Sequence, residues 1–148
     1  MYLLDTNVVS ESRKLATGRA DANVTTWMES IDPEFTFLAA ISWFELEHGV
    51  LLMERRDKTQ GTMLRRWLTE TVQPAFEGRI LPMSADVATR CARLHVPDPC
   101  SERDSWIAAT ALVHDLTVVT RNVADFAQTG VALLNPWDAP GSPAGGAG

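Results

Sequence analysis

The sequence predicts an α/β protein in which helices pack around a mostly parallel central sheet. Two observations carry that expectation. Thr117-Val118-Val119-Thr120 and Val131-Ala132-Leu133-Leu134 are continuous apolar runs of the kind buried on both faces of a parallel sheet. Between such runs lie segments whose apolar residues recur at helical spacing, so strand and helix alternate along the chain.

In order, residues 2–5 read as a first strand that empties into Asp5 and a turn-forming Thr6-Asn7. Residues 22–31 suit a helix, with Trp27, Met28 and Ile31 at helical spacing, and Phe35-Thr36-Phe37-Leu38 is a short strand. A long helix is expected to start at Ser42 and run to about Arg55, with Trp43, Leu46, Val50 and Met53 in one stripe. Another is expected from about Thr62 to Gln73, closed by Pro74 and Gly78. Residues 79–82 form a brief strand and 84–95 return to helix. The two prolines of His95-Val96-Pro97-Asp98-Pro99-Cys100 require a loop. Ser101 then caps a helix whose middle, residues 106–113, is apolar nearly all round; its alanines allow close approach to the sheet. Residues 139–148, rich in Pro, Gly, Ala and Ser, offer no core and are expected to be a disordered tail after one domain spanning 1–138.

The chain's 148 residues, 45% hydrophobic and 22% charged, suit one ordinary globular domain. No apolar run spans a bilayer and no signal-like leader is visible, so a cytoplasmic protein with no membrane contact is expected. Cys91 and Cys100 lack metal-ligand spacing; Cys91 falls with Val87 and Leu94 on an apolar helix face and reads as a buried thiol. The net charge of −6 argues against broad electrostatic capture of nucleic acid. Local clusters (Arg13-Lys14, Arg55-Arg56, Arg65-Arg66) and bound cations can still reverse the field locally, although each cluster also fits a solvated helix face.

Four acids sit at element boundaries: Asp5, Glu45, Asp104 and Asp125. Each has a structural use. Ser42-x-x-Glu45 matches a capping box, Ser101-x-x-Asp104 and Asn122-x-x-Asp125 resemble it, and Asp5 could cap a turn. Their joint placement points elsewhere. A parallel sheet gathers the carboxyl ends of its strands, and the starts of the helices that follow, along one edge where ligands bind. Carboxylates gathered there with no resident Ser, Cys or His nucleophile suggest a hard divalent cation and an activated water. His48, His95 and His114 share no motif and read as solvated or core residues.

The runs Leu3-Leu4-Asp5-Thr6-Asn7, Ser42-Trp43-Phe44-Glu45-Leu46, Arg103-Asp104-Ser105-Trp106-Ile107-Ala108-Ala109-Thr110-Ala111, Val119-Thr120-Arg121-Asn122 and Leu134-Asn135-Pro136-Trp137 occur in the same order in PIN-domain proteins. The set resembles the VapC-type toxins of bacterial toxin–antitoxin pairs, particularly the FitB-like subgroup, over residues 1–138. The resemblance implies a three-layer α/β/α PIN fold and a Mg²⁺- or Mn²⁺-dependent endoribonuclease. It further implies an RNA substrate, a homodimer and a cognate antitoxin. Asp5, Glu45 and Asp104 match the family's metal-site acids, and Thr6 matches a polar position that orients Asp5 or the water. Many PIN nucleases carry a fourth acid where this chain has Asn122; Asn122 itself or Asp125, one helical turn on, is expected to take its place in the metal site, the alternative being that Asp125 only bonds locally. The rival expectation is a PIN scaffold without catalysis that binds RNA or a regulatory protein. A phosphatase with an aspartyl nucleophile would need Asp-x-Asp at the first strand, which Asp5-Thr6-Asn7 does not provide.

Overall fold

The computed structural model describes residues 1–139; the tail expected at 139–148 lies, but for Ala139, outside the described residues. The first half of the chain runs β1 (Tyr2–Leu4), α1 (Thr6–Ser12), α2 (Ala22–Ser30), β2 (Thr36–Ala39), α3 (Ala40–Arg56), α4 (Lys58–Trp67) and α5 (Gln73–Ala75). The second half runs β3 (Ile80–Leu81), α6 (Ala85–Leu94), α7 (Glu102–His114), β4 (Thr117–Val119), α8 (Val123–Phe126) and β5 (Leu133–Leu134). The five strands are ordered β3-β2-β1-β4-β5, and every pairing is parallel. The α/β class and the parallel sheet expected from the sequence are both present.

Alternation along the strands builds two cores. Leu4, Leu38 and Val119 face a cluster with Val8 and Val9 of α1, Leu46 and Val50 of α3, and Leu68, Val72 and Phe76 beyond α4. Leu3, Ala39 and Val118 point the other way, onto Ile107, Ala108 and Ala111 of α7 and Phe126 of α8. Side chains at successive strand positions alternate between faces, so three-residue strands suffice to hold two helical layers. The apolar α7 earns its composition on two sides: it touches the sheet through Ala108, and through Ala109 it meets Val87 and Cys91 of α6. Cys91 is buried as a free thiol, as expected.

Three expectations need correction. The chain makes an unanticipated short helix, α1, directly after Asp5; its seven residues, about two turns, are too few to show a period. Next, α3 starts two residues before Ser42, because β2 runs straight into the helix and leaves Ala39 in the cap position with no side-chain bond. Ser42 is therefore a buried residue inside the first turn, and its Oγ has no hydrogen-bond partner among the described residues. Finally, the helix expected from Thr62 begins at Lys58, capped by the Asp57 carboxylate, which accepts from the Gln60 N–H at 3.0 Å. It passes at Leu68–Val72 through a wider turn before Pro74, which cannot donate to an α-helical ladder.

The candidate metal centre

The sheet order reverses at β1, whose neighbours β2 and β4 are reached by connections running in opposite directions. Such a switch point opens a crevice at the carboxyl ends of the strands. Asp5 follows β1 there and Thr120 follows β4, and the Asp5 N–H donates to the Val119 carbonyl at 2.9 Å. α3 brings Glu45 from its second turn and α7 brings Asp104 from its first.

Asp5 is fully buried, and both of its carboxylate oxygens are used. Oδ1 accepts from the Thr6 N–H at 2.7 Å, and Oδ2 from the Thr120 hydroxyl at 2.7 Å. Asp5 thus caps α1 and faces the crevice at once. The Thr6 hydroxyl donates to Glu45 Oε1 at 2.8 Å, so Thr6 ties the first helix to the third. The capping-box reading of Glu45 fails, since its carboxylate is turned to Thr6 and Arg103 rather than back along α3. Ser101 does cap α7, its Oγ accepting from the Asp104 N–H at 3.4 Å. The reciprocal half is missing, because the Asp104 carboxylate goes to Arg103.

Arg103 is the residue that the sequence did not single out. Its guanidinium reaches three acids at once: Nη2 to Asp5 Oδ1 at 2.5 Å, Nε to Glu45 Oε2 at 2.6 Å, and Nη1 to Asp104 Oδ1 at 2.8 Å. Burial opposes its charge, but the hydrogen bond to Glu45 and the bond and charge of Asp5 outweigh that and raise its pKa further above the arginine value. A planar fork of donors matches converging carboxylates well. The sequence signal was available, since Arg103 stands beside Asp104 in the motif, but an arginine next to an acid on a helix ordinarily reads as a solvated pair.

The fourth position divides. The Asn122 N–H donates to Thr120 Oγ1 at 3.0 Å, and Asn122 lines the cleft together with Thr6, Asn7, Lys14, Glu45 and Arg121. Its side chain does not cap α8. Asp125, one turn further, is exposed and does not line that cleft, so the structure brings together Asp5, Thr6, Glu45 and Asp104, with Asn122 at the rim and Asp125 outside. Sequence reasoning also missed Thr120 and Asn7. The Asn7 amide reaches Thr120 Oγ1 at 3.5 Å, which makes Thr120 the hub joining both strand ends. A polar residue closing an apolar strand, as Asp5 closes β1, is the signal that could have found it.

The donor set fits a hard divalent cation: three carboxylates from three elements already share one cation, the guanidinium. Among the described residues, no three acid, imidazole or thiol side chains are gathered closely enough to hold a metal as they stand. The acids are spaced around a planar group rather than a point.

Residues 2–131 match the model of the PIN domain. The chain is 37% identical over 142 residues to the toxin FitB of Neisseria gonorrhoeae, an alignment covering 93% of this chain and 99% of that protein. It is 34% identical over 143 residues to the VapC ribonuclease Y4jK of Sinorhizobium fredii, covering 93% and 99%. Among solved structures it superposes on the FitAB complex bound to an IR36 DNA fragment with a TM-score of 0.86 at 32% identity, over 97% of this chain and all of the matched one (100%).

Proposed function

The chain belongs to the PIN-domain family, and on that premise we propose that it is the toxin of a toxin–antitoxin pair, acting as a metal-dependent endoribonuclease. The observation that carries the reading is the meeting of Asp5, Glu45 and Asp104 about one cation position at the switch point of the sheet. The relatives' names, a toxin and a VapC ribonuclease, support it.

Asp5, Glu45 and Asp104 are the groups to hold Mg²⁺ or Mn²⁺. Bound there, the ion would activate a water and neutralise charge on a scissile phosphate. The rest is work for the chain's own side chains. Thr120 and Thr6 fix the outer oxygens of Asp5 and Glu45, leaving their inner oxygens aimed at the cation position. Lys14 and Arg121 rim the same cleft and supply the positive charge that a protein of net charge −6 otherwise lacks for an RNA backbone. The Arg121 guanidinium lies 5.2 Å from the Trp137 ring centre, so the ring holds a planar cation at the rim on which an unstacked base can stack. Asn122 fits a role as a neutral oxygen donor at the rim, while Asp125 stands outside the cleft.

For partners we assign a second copy of the chain and a cognate antitoxin. Phe44, Leu51 and Leu52 expose more than half of their surface on α3, as does Met63 on α4. Exposed large apolar residues clustered on a helical hairpin suit protein contacts. A basic antitoxin segment would complement the protein's net charge of −6. Among the described residues no helix is long and apolar enough to cross a membrane, and the RNA substrate fits a cytoplasmic site of action.

The rival reading, a PIN scaffold without catalysis, draws on Arg103 at the centre of the cluster and on Asn122 in place of an acid. Incubating the purified protein with structured RNA, with and without Mg²⁺ or Mn²⁺, separates the two. Metal-dependent cleavage that Asp104→Asn abolishes without altering the circular dichroism supports the nuclease. Absence of cleavage at every metal concentration supports the scaffold.

A further inference from the structure

We propose that Arg103 is the resident cation of the acidic cluster in the metal-free protein, and that a divalent ion can enter only by displacing its guanidinium. The proposal rests on the reading of the cluster as a metal centre. It follows from an account of oxygens. Asp5 Oδ2 is occupied by Thr120 and Glu45 Oε1 by Thr6. The inward oxygens, Asp5 Oδ1 (which also accepts from the Thr6 N–H along its outer side) and Glu45 Oε2, both accept from Arg103, which also holds Asp104 Oδ1. A compact ion that recruits Asp5 and Glu45 together needs the two inward oxygens to which the guanidinium donates.

The metal-free cluster needs such a cation. Asp5 has no exposed surface, and a buried carboxylate stripped of its charged partner is strongly unfavourable. Arg103 cannot leave by losing its proton, since arginine stays charged at any accessible pH and here its pKa is raised further. It leaves by rotation. Its side chain is one-third exposed, rooted in the first turn of α7, and lines the open cleft beside Lys14 and Arg121. Metal binding is thereby coupled to an outward swing of a cation that remains at the mouth of the site.

The test is metal binding without RNA, using the full chain freed of metal. Mn²⁺ titrations by calorimetry and electron paramagnetic resonance compare the wild type with R103Q and R103K. If the Arg-out state is a minor population, removing the competitor tightens apparent affinity by the inverse of that population, about tenfold or more. R103Q is expected to bind Mn²⁺ at least that much more tightly and to show a larger metal-induced rise in Tm, with R103K between it and the wild type. Equal or weaker Mn²⁺ affinity in folded R103Q overturns the proposal and leaves the metal centre intact. No Mn²⁺ binding by either protein overturns both. Should R103Q fail to fold, the wild type decides: its Arg103 Nε–H resonance, bonded to Glu45, is expected to lose protection from exchange as Mg²⁺ saturates the site, and persistence of that protection overturns the proposal.

Discussion

Two arginines in this protein each bridge carboxylates from separate parts of the chain, yet their settings differ. Arg65 of α4 reaches back to α3, with Nη1 2.9 Å from Glu47 and Nη2 3.2 Å from Glu54, and all three side chains remain about one-third exposed. Arg103 is exposed to a similar degree, but Asp5 at its tip is wholly buried and Asp104 partly so. The exposed network gains little, because water solvates its members almost as well when they are apart. The other holds a charge, that of Asp5, which water cannot reach. The lesson is that the partner's burial, not the arginine's, decides what an ion pair contributes.

Replacing each arginine by leucine sharpens that contrast. Arg103→Leu, measured by urea unfolding of the metal-free protein, should cost about 3 kcal/mol, the lower end for stripping a buried charge of its partner. Saturating Mn²⁺ should recover part of that loss, and a variant as stable as the wild type would break the comparison. Next in size is Gly61→Ala. Two close-packed helices, not ion pairs, hold the α3–α4 hairpin: a methyl on Gly61 would stand 2.4 Å from the Glu54 Cα. The backbones must part, so destabilisation of about 1–3 kcal/mol is expected by thermal melting. A third pair of variants probes the edge of the site. Asn122→Asp should tighten Mn²⁺ binding by placing a carboxylate on the cleft rim, whereas Asp125→Ala, outside it, should leave the titration unchanged. A weakened titration in Asp125→Ala would move that acid into the site. The smallest effect belongs to Arg65→Leu, at or below about 1 kcal/mol and shrinking as salt rises.

The sheet and its flanking helices were legible because burial on two faces leaves a continuous apolar run, and α7 was legible because it is apolar almost all round. Helix starts were less so. Ser42 carries the residue type of a cap yet lies inside a helix, because nothing in the local sequence says that β2 feeds α3 without a loop. Asp57, the true cap of α4, is an acid among charged neighbours and gives no contrast. At the site, the acids and Thr6 could be read from their positions at the ends of strands and the starts of helices. Arg103 and Thr120 carried only weak signals, a place beside Asp104 and a polar end to an apolar strand, because their roles depend on partners 98 and 115 residues away.

Those separations also govern when the site exists during synthesis. β1 is made first but is flanked by β2 and by β4, and β4 is among the last strands to be made. Until β4 pairs with it, Asp5 lacks both the Val119 carbonyl that takes its N–H and the Thr120 hydroxyl on its carboxylate. Pairing across so long a loop is slow and comes late. A growing chain therefore carries its acids as separate, solvated groups, and chemistry that needs them together waits until nearly all of the sequence has left the ribosome that made it.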